Sequence, residues 1–391
     1  MTTMIQTLPA LPAPVAPARP RLLTGAVLRL FAVDFAAMSS FYLLLSVVPL
    51  YSADSGIGSV GAGLSTGVLM FASVGAEMAT PGLAARLGYR RLLMGGLVLL
   101  GAPALALPAV TGLVALMAVS VVRGVGFAIV VVAVGALTAT AIPEQRRGEG
   151  LGALGVVAML PAVVNLPLGV WLVGRFGYLV VFIVAAAVAL LAVVLVGQLP
   201  EGVSEADHQG GGLAAILRRP AVLGPTLVFA ATAVAGGAVV AFLPGAVTGS
   251  VAVPALFVQS ASATLTRWLA GRHSDRHGAA GLLVPAVVVS ALGMGAAAFT
   301  GNSVAVVAGM AVFGAGFGVA QSASMNTMLQ RVSRSQYGAV SAAWNGAYDL
   351  GWGAGAIGIG MVVAGAGCSA AFAAAALLVL AALPLARRNR D

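Results

Sequence analysis

The chain has 391 residues, 60% of them apolar and 8% charged, with a mean hydropathy of +1.04, whereas a soluble domain carries roughly a quarter charged residues. A water-soluble globule is excluded and the bilayer is the expected solvent. The formal charge of +9 comes from 20 basic residues, all arginine and set in small groups between apolar runs, so it argues against a nucleic-acid partner and for membrane topology.

In chain order, residues 1–21 form a tail with Pro9, Pro12, Pro14, Pro17 and Pro20 and no basic stretch before an apolar core. It is expected to be disordered, and it does not read as a signal peptide. Crossing the hydrocarbon takes about 20 apolar residues in a helix. Spans are predicted at 22–51, 60–80, 92–110, 113–142, 148–173 and 178–199. A polar stretch at 200–220, with Glu201, Glu205, Asp207 and His208, then divides the chain as a linker. A second set follows at 221–247, 253–270, 279–299, 304–330, 336–363 and 369–385, and 387–391 is a basic tail. The expectation is an all-α membrane protein of twelve transmembrane helices in two six-helix bundles, 22–199 and 221–386. Cys368, the single cysteine, excludes an internal disulfide.

The arginines set the orientation. Arg29, Arg123 and Arg267 fall within spans and Arg175 lies in a loop on one side; the others lie in the tails and in the loops of the opposite side. Basic loops stay in the cytoplasm, so both termini and the linker are expected there. The composition fits a multi-pass protein of a bacterial inner membrane.

An offset of 190 residues carries Glu77 onto Arg267, Arg86 onto Arg276, Gly88 onto Gly278 and Gly148 onto Gly338, each pair in equivalent places of the two six-span sets. Duplicated bundles are a recurrent plan of secondary transporters. The turns that follow the second and eighth spans resemble the signature G-x-L-a-D-R-x-G of the major facilitator superfamily. The second copy keeps Gly271, Asp275, Arg276 and Gly278; the first keeps Leu83, Arg86, Gly88, Arg90 and Arg91, with Pro81 in place of the opening Gly and Ala85 in place of the Asp. Arg123-Gly124-Val125-Gly126 in the fourth span is similar to the arginine-centred motif of proton-coupled drug exporters. The fifth-span antiporter motif G-P-x-x-G-G is poorly met: Pro161, Pro167 and Gly169 are present, but Val164-Asn165 stand where paired glycines would be. The resemblance implies a transporter that is not an enzyme and works as a monomer without a cofactor. It exchanges a small lipophilic molecule for protons across the membrane, or takes up a metabolite with protons. A non-transporting receptor or scaffold is a third, weaker reading. Asp275 is implied to face the start of the fifth span near Gly148.

Ionisable groups inside a span are costly and tend to face a cavity or a partner. Asp34 lies about 18 Å along its helix from Leu22 and Arg123 about 15 Å from Leu113, which predicts comparable depth near mid-bilayer. The pair is expected to carry proton coupling, with Asp349 as the competing carboxylate, or to form a static ion pair. Glu77 and Arg267 are placed near the cytoplasmic ends, where snorkelling suits a gating or structural role. Helical spacing puts Phe31, Asp34, Met38, Phe41 and Tyr42 on one face of the first span, and Asn345, Tyr348, Asp349 and Trp352 on one face of the eleventh. With Gln259, Gln321 and Met325 they form the predicted substrate cavity; aromatic and methionine stripes without a carboxylate are ordinary packing. Gly353-Ala354-Gly355-Ala356-Ile357-Gly358 fits a dinucleotide motif only in letters, since no strand precedes it, and reads as close helix packing. His273, Asp275 and His277 are not taken as a metal site, because Arg272 and Arg276 interleave them.

Overall fold

A computed structural model describes residues 22–143, 146–199, 213–333 and 336–389; the tail 1–21 and most of the predicted linker lie outside them. Regular structure among the described residues is helical throughout, as expected of a chain that must satisfy its backbone polar groups in lipid. The first six helices are α1 (Gly25–Asp54), α2 (Gly58–Leu87), α3 (Tyr89–Gly101), α4 (Leu113–Ala141), α5 (Arg147–Phe176) and α6 (Tyr178–Gly197). A short α7 (Leu213–Leu217) precedes α8 (Pro220–Ala246), α9 (Gly249–His277), α10 (Leu283–Ala297), α11 (Ser303–Gln330), α12 (Tyr337–Ala381) and α13 (Leu383–Arg388). Past Gly101, α3 tightens into a 3₁₀ segment, Ala102–Ala109, which holds Pro103 and Pro108; the missing proline N–H groups break the α-helical ladder there.

Ten helices among the described residues are long and apolar enough to cross a membrane. Two features account for the difference from the predicted twelve. The 45-residue α12 contains Gly367 at φ 81 and ψ 172, which divides it into two helical segments inside the predicted break at 363–369. The second feature is α9, too polar to be counted: Arg272 to His277 at its end are mostly exposed, while hydroxyls of its middle are engaged inside the protein. Ser262 Oγ and Thr266 Oγ1 each donate at 2.9 Å to carbonyls of α11, those of Ala311 and Ala315. Gly314 and Gly318 of α11 lie directly on the α9 backbone at Gln259 and Ala263. Small residues and hydroxyls seal this seam at close range.

The repeat is visible in the backbone. Gly88 and Gly278 (φ 79 and 84) end α2 and α9, while Gly177 and Gly367 (φ 78 and 81) end α5 and the first segment of α12. Both pairs are separated by the 190-residue offset, and at positive φ only glycine is unstrained. The glycine N–H closes the turn onto the carbonyl four residues back, Ala84 at 2.8 Å and Ser274 at 3.0 Å in the first pair.

Arginines tie down the helix ends at one end of the molecule. Arg29 donates to the Gln198 carbonyl at 3.2 Å, Arg90 to the Gly197 carbonyl, and Arg331 to the side chain and carbonyl of Asn389, both at 2.8 Å. At the opposite end Tyr178 donates to the Asp54 carboxylate and Tyr51 to the Val110 carbonyl at 3.2 Å. The N- and C-terminal sets of helices meet chiefly along two seams, α2 on α12 and α5 on α9, with α8 also touching α1 and α2.

Candidate transport site

The α2–α12 seam is closed towards one end only. A Cβ on Gly63 would strike the Ala356 carbonyl, one on Gly67 would strike Ile357, and one on Gly353 would sit 3.1 Å from Met70 Cβ. Nearer the arginine-rich end, Gly346 of α12, on the same helix face as Asp349 and Gly353, has no neighbouring atom within 4 Å of the place a Cβ would take. The glycine run 353–358 thus supplies close packing: Gly353 lies on α2 and Gly355 on α8 at Val234.

Between the halves lies a narrow polar and aromatic cavity, partly open to solvent, to which α1, α5, α9, α11 and α12 all contribute. Of the predicted residues, Tyr42, Gln259, Gln321, Tyr348 and Trp352 line it. Phe31 instead packs with Val27 and Ile142. Phe41 stacks on Phe127 with ring centroids 4.0 Å apart, holding the edge of Tyr42 at 5.1 Å. Met38 is buried in the core, Met325 packs against it and Asn345 is exposed. Met159, Ser260, Thr264 and Phe317 line the cavity too and were not singled out by the sequence reading. Trp344 was also missed, although it lies one helical turn before Tyr348. Phe229, Trp344, Tyr348 and Trp352 form a ladder of rings, with successive centroids at 4.5, 6.1 and 5.0 Å. Ser324 Oγ fixes the Trp344 indole by accepting its N–H at 3.0 Å.

The charged groups sit differently from expectation. Arg267 does not snorkel to the interface: its Nη1 donates to Gln321 Oε1 at 3.1 Å and meets Met159 Sδ at 2.9 Å, and its guanidinium covers the Trp344 ring at 5.5 Å. The physical reason is helix length. Both α2 and α9 run ten residues past Glu77 and Arg267, to Leu87 and His277, about 15 Å. Asp349 is buried and accepts a hydrogen bond from Ser73 Oγ of α2 at 2.6 Å. Glu77, one turn beyond Ser73, lies within electrostatic reach of Asp349.

Asp34 and Arg123 are not brought together. α1 and α4 are 30 and 29 residues long and antiparallel, so similar distances from their starting ends leave the two groups on opposite sides of the molecular centre. Arg123 faces Leu44, Leu45, Val48 and Pro49 of α1, the nearest of them ten residues beyond Asp34, about 15 Å. Its Nε donates to the Leu100 carbonyl at 3.3 Å, while its Nη2 and Asp34 Oδ2 have no protein partner.

In the gate turns, Arg86 lies in the last turn of α2 and Arg276 in that of α9, each ahead of its glycine. Leu83 and Asp275 are exposed and Gly271 lies 3.5 Å from Ser322 Oγ, measured from a built Cβ. No described residue binds the Asp275 carboxylate, and the side chain of Arg147 beside its expected partner Gly148 lies outside the described ones.

Paired helical halves around a central polar and aromatic cavity define a multi-pass membrane transporter. The model of the Major Facilitator Superfamily matches residues 30–356, and the chain belongs to that family. No curated protein sequence matches the chain significantly. Among solved structures, a bacterial homolog of the human lysosomal transporter Spinster, in an inward-facing and occupied conformation, superposes with a TM-score of 0.79 at 14% identity, covering 93% of this chain and 96% of its own. The D323A mutant of the nucleoside transporter NupG gives a TM-score of 0.74 at 14% identity, covering 94% of this chain and 100% of its own. At such identity these likenesses describe the fold.

Proposed function

We propose that the protein is a secondary active transporter that moves a small lipophilic molecule by alternating access, coupled to protons, in the direction of efflux. Counting α9 as a span and α12 as two gives twelve crossings in two bundles, 22–199 and 221–386, joined by the linker 200–220. The one-sided arginines put both termini in the cytoplasm of a bacterial inner membrane. On that orientation the open end of the α2–α12 seam faces the cytoplasm, and the helices stand in an inward-open arrangement.

One observation supports this reading most: Asp349 is a buried carboxylate on the seam itself, held by Ser73 from the other half and near Glu77. A movement that opens the seam changes the surroundings of Asp349, so the conformational cycle and the proton cycle share one element. Asp349 with Glu77 is therefore the leading proton-coupling group, and Asp34, buried with an unpartnered oxygen, is the competitor. The test is transport in proteoliposomes with an imposed pH gradient. Asp349→Asn should abolish gradient-driven transport and leave passive exchange; full gradient-driven transport in this variant, with loss in Asp34→Asn, moves the role to α1. Uptake with protons is favoured by one feature, Val164-Asn165 in place of the paired glycines of the antiporter motif, with Asn165 buried. The direction of the gradient that drives substrate movement separates the two.

A further inference from the structure

Resting on the transport reading, we infer that the substrate of the central cavity is an amphiphilic anion: a flat apolar body bearing one oxyanion group, carboxylate or phosphate-like, that is received by Arg267.

The inference starts from a charge without a counter-charge. Arg267 lies on α9 beside the cavity, and every partner it has is neutral: the Gln321 amide oxygen at 3.1 Å, the Met159 thioether at 2.9 Å and the face of Trp344 at 5.5 Å. The acid nearest in role, Asp349, is engaged by Ser73 on α2, and no ion pair involves Arg267 among the described residues. Arg267 is half-buried, and a guanidinium partly withdrawn from water is stabilised by an anion or a full set of acceptors. The neutral contacts hold the planar group in place without supplying that charge. Gln321 and Met159 both line the cavity, one from α11 and one from α5, so the guanidinium they hold lies directly behind that lining, one side chain away from a bound molecule. Arginine also suits the task chemically, since it stays protonated and presents a planar fork that matches an oxyanion.

The rest of the wall defines the body. The Trp344 ring beneath Arg267 is buried, and the ladder reaches the cavity at its next two rings, Tyr348 and Trp352, which stand at an interplanar angle of 28°. Such near-parallel rings offer a flat surface to a flat apolar ligand. Gln259, Ser260 and Thr264 of α9 add uncharged hydrogen-bonding groups that set orientation without favouring either sign of charge.

Matched acid and amide pairs test the inference, for example 2-naphthoate with 2-naphthamide and indole-3-acetate with indole-3-acetamide. Binding to the purified full-length protein is read by isothermal titration calorimetry, at constant ionic strength. The acid should bind the wild type at least about tenfold better than its amide, a preference of about 1.4 kcal/mol. Arg267→Ala should bring the two members of a pair level, and Arg267→Lys should restore part of the preference. Equal or better binding of the amides, absence of binding by every acid, or a preference that survives Arg267→Ala overturns the inference. Because the readout is binding, gradient-driven transport of a neutral compound in the wild type would leave the transporter reading standing while this one falls. A folding defect in Arg267→Ala is recognised by loss of amide binding as well, and Arg267→Gln then serves as the neutral variant.

Discussion

Asp349 and Arg123 are both buried, and their surroundings call for opposite responses to neutralisation. Asp349 has a specific partner across the seam in Ser73. Ser73→Ala should shift the pH dependence of transport while Asp349→Asn removes the gradient drive, measured in the same vesicles. Arg123 has one backbone acceptor and an unsatisfied Nη2. An uncompensated buried charge opposes stability by several kcal/mol, so Arg123→Met should keep or raise the melting temperature and leave the pH profile of transport in place. A fall in melting temperature would show that the site holds a counter-ion. Gly63 gives a third case at this scale: any side chain there meets the Ala356 carbonyl, so Gly63→Leu should prevent closure of that end and stop net transport while ligand binding from the arginine-rich side persists.

Among the elements, α9 is the one whose polarity would mislead a count by hydropathy. Its Ser262 and Thr266 hydroxyls are partnered by α11 carbonyls, and hydrogen bonds between helices in membranes contribute about 0.6 kcal/mol each. Ser262→Ala combined with Thr266→Val should therefore lower the unfolding free energy by about 1 kcal/mol in an equilibrium denaturation in detergent. No change would mean that the glycine contacts alone hold the seam. The helix-ending glycines act on backbone geometry instead. Placing a Cβ at Gly88 or Gly367, both at positive φ with extended ψ, should cost about 1–3 kcal/mol, visible as a lowered melting temperature.

The arrangement of the whole molecule predicts accessibility. In a Cys368→Ser background, Gly346→Cys should react with a membrane-impermeant maleimide from the arginine-rich side, and Gly67→Cys, covered by Ile357, should not. Protection of both would place the protein in a different state from the one described. The second signature turn carries an acidic residue, Asp275, and the first has Ala85 in its place. Asp275→Asn should shift the labelling towards the arginine-open state by weakening a helix-end interaction of about 0.3–2 kcal/mol, and Ala85→Asp should shift it the other way. Reporter fusions at both termini test the orientation itself.

Spans, loops and the repeat were legible in the sequence because each depends on local chemistry: about 20 apolar residues to cross the hydrocarbon, arginines at the water boundary, glycine where φ turns positive. The same locality made Tyr348, Asp349 and Trp352 readable as one face of a helix, together with polar lining groups such as Gln259 and Gln321. Depth between helices was not readable in this way. Asp34 and Arg123 seemed level when each was measured from its own helix end, but α1 and α4 are longer than the hydrocarbon is thick, and the tertiary structure sets the two groups at opposite sides of the centre. Glu77 and Arg267 seemed close to the ends of their spans for the same reason, whereas each lies ten residues inside the end of its helix. Which residues meet across the halves, Ser73 with Asp349 and Met159 with Arg267, depends on how long helices are tilted and shifted against one another. That is decided by glycine contacts between segments far apart in sequence, a property of the packed molecule and of no single stretch of it.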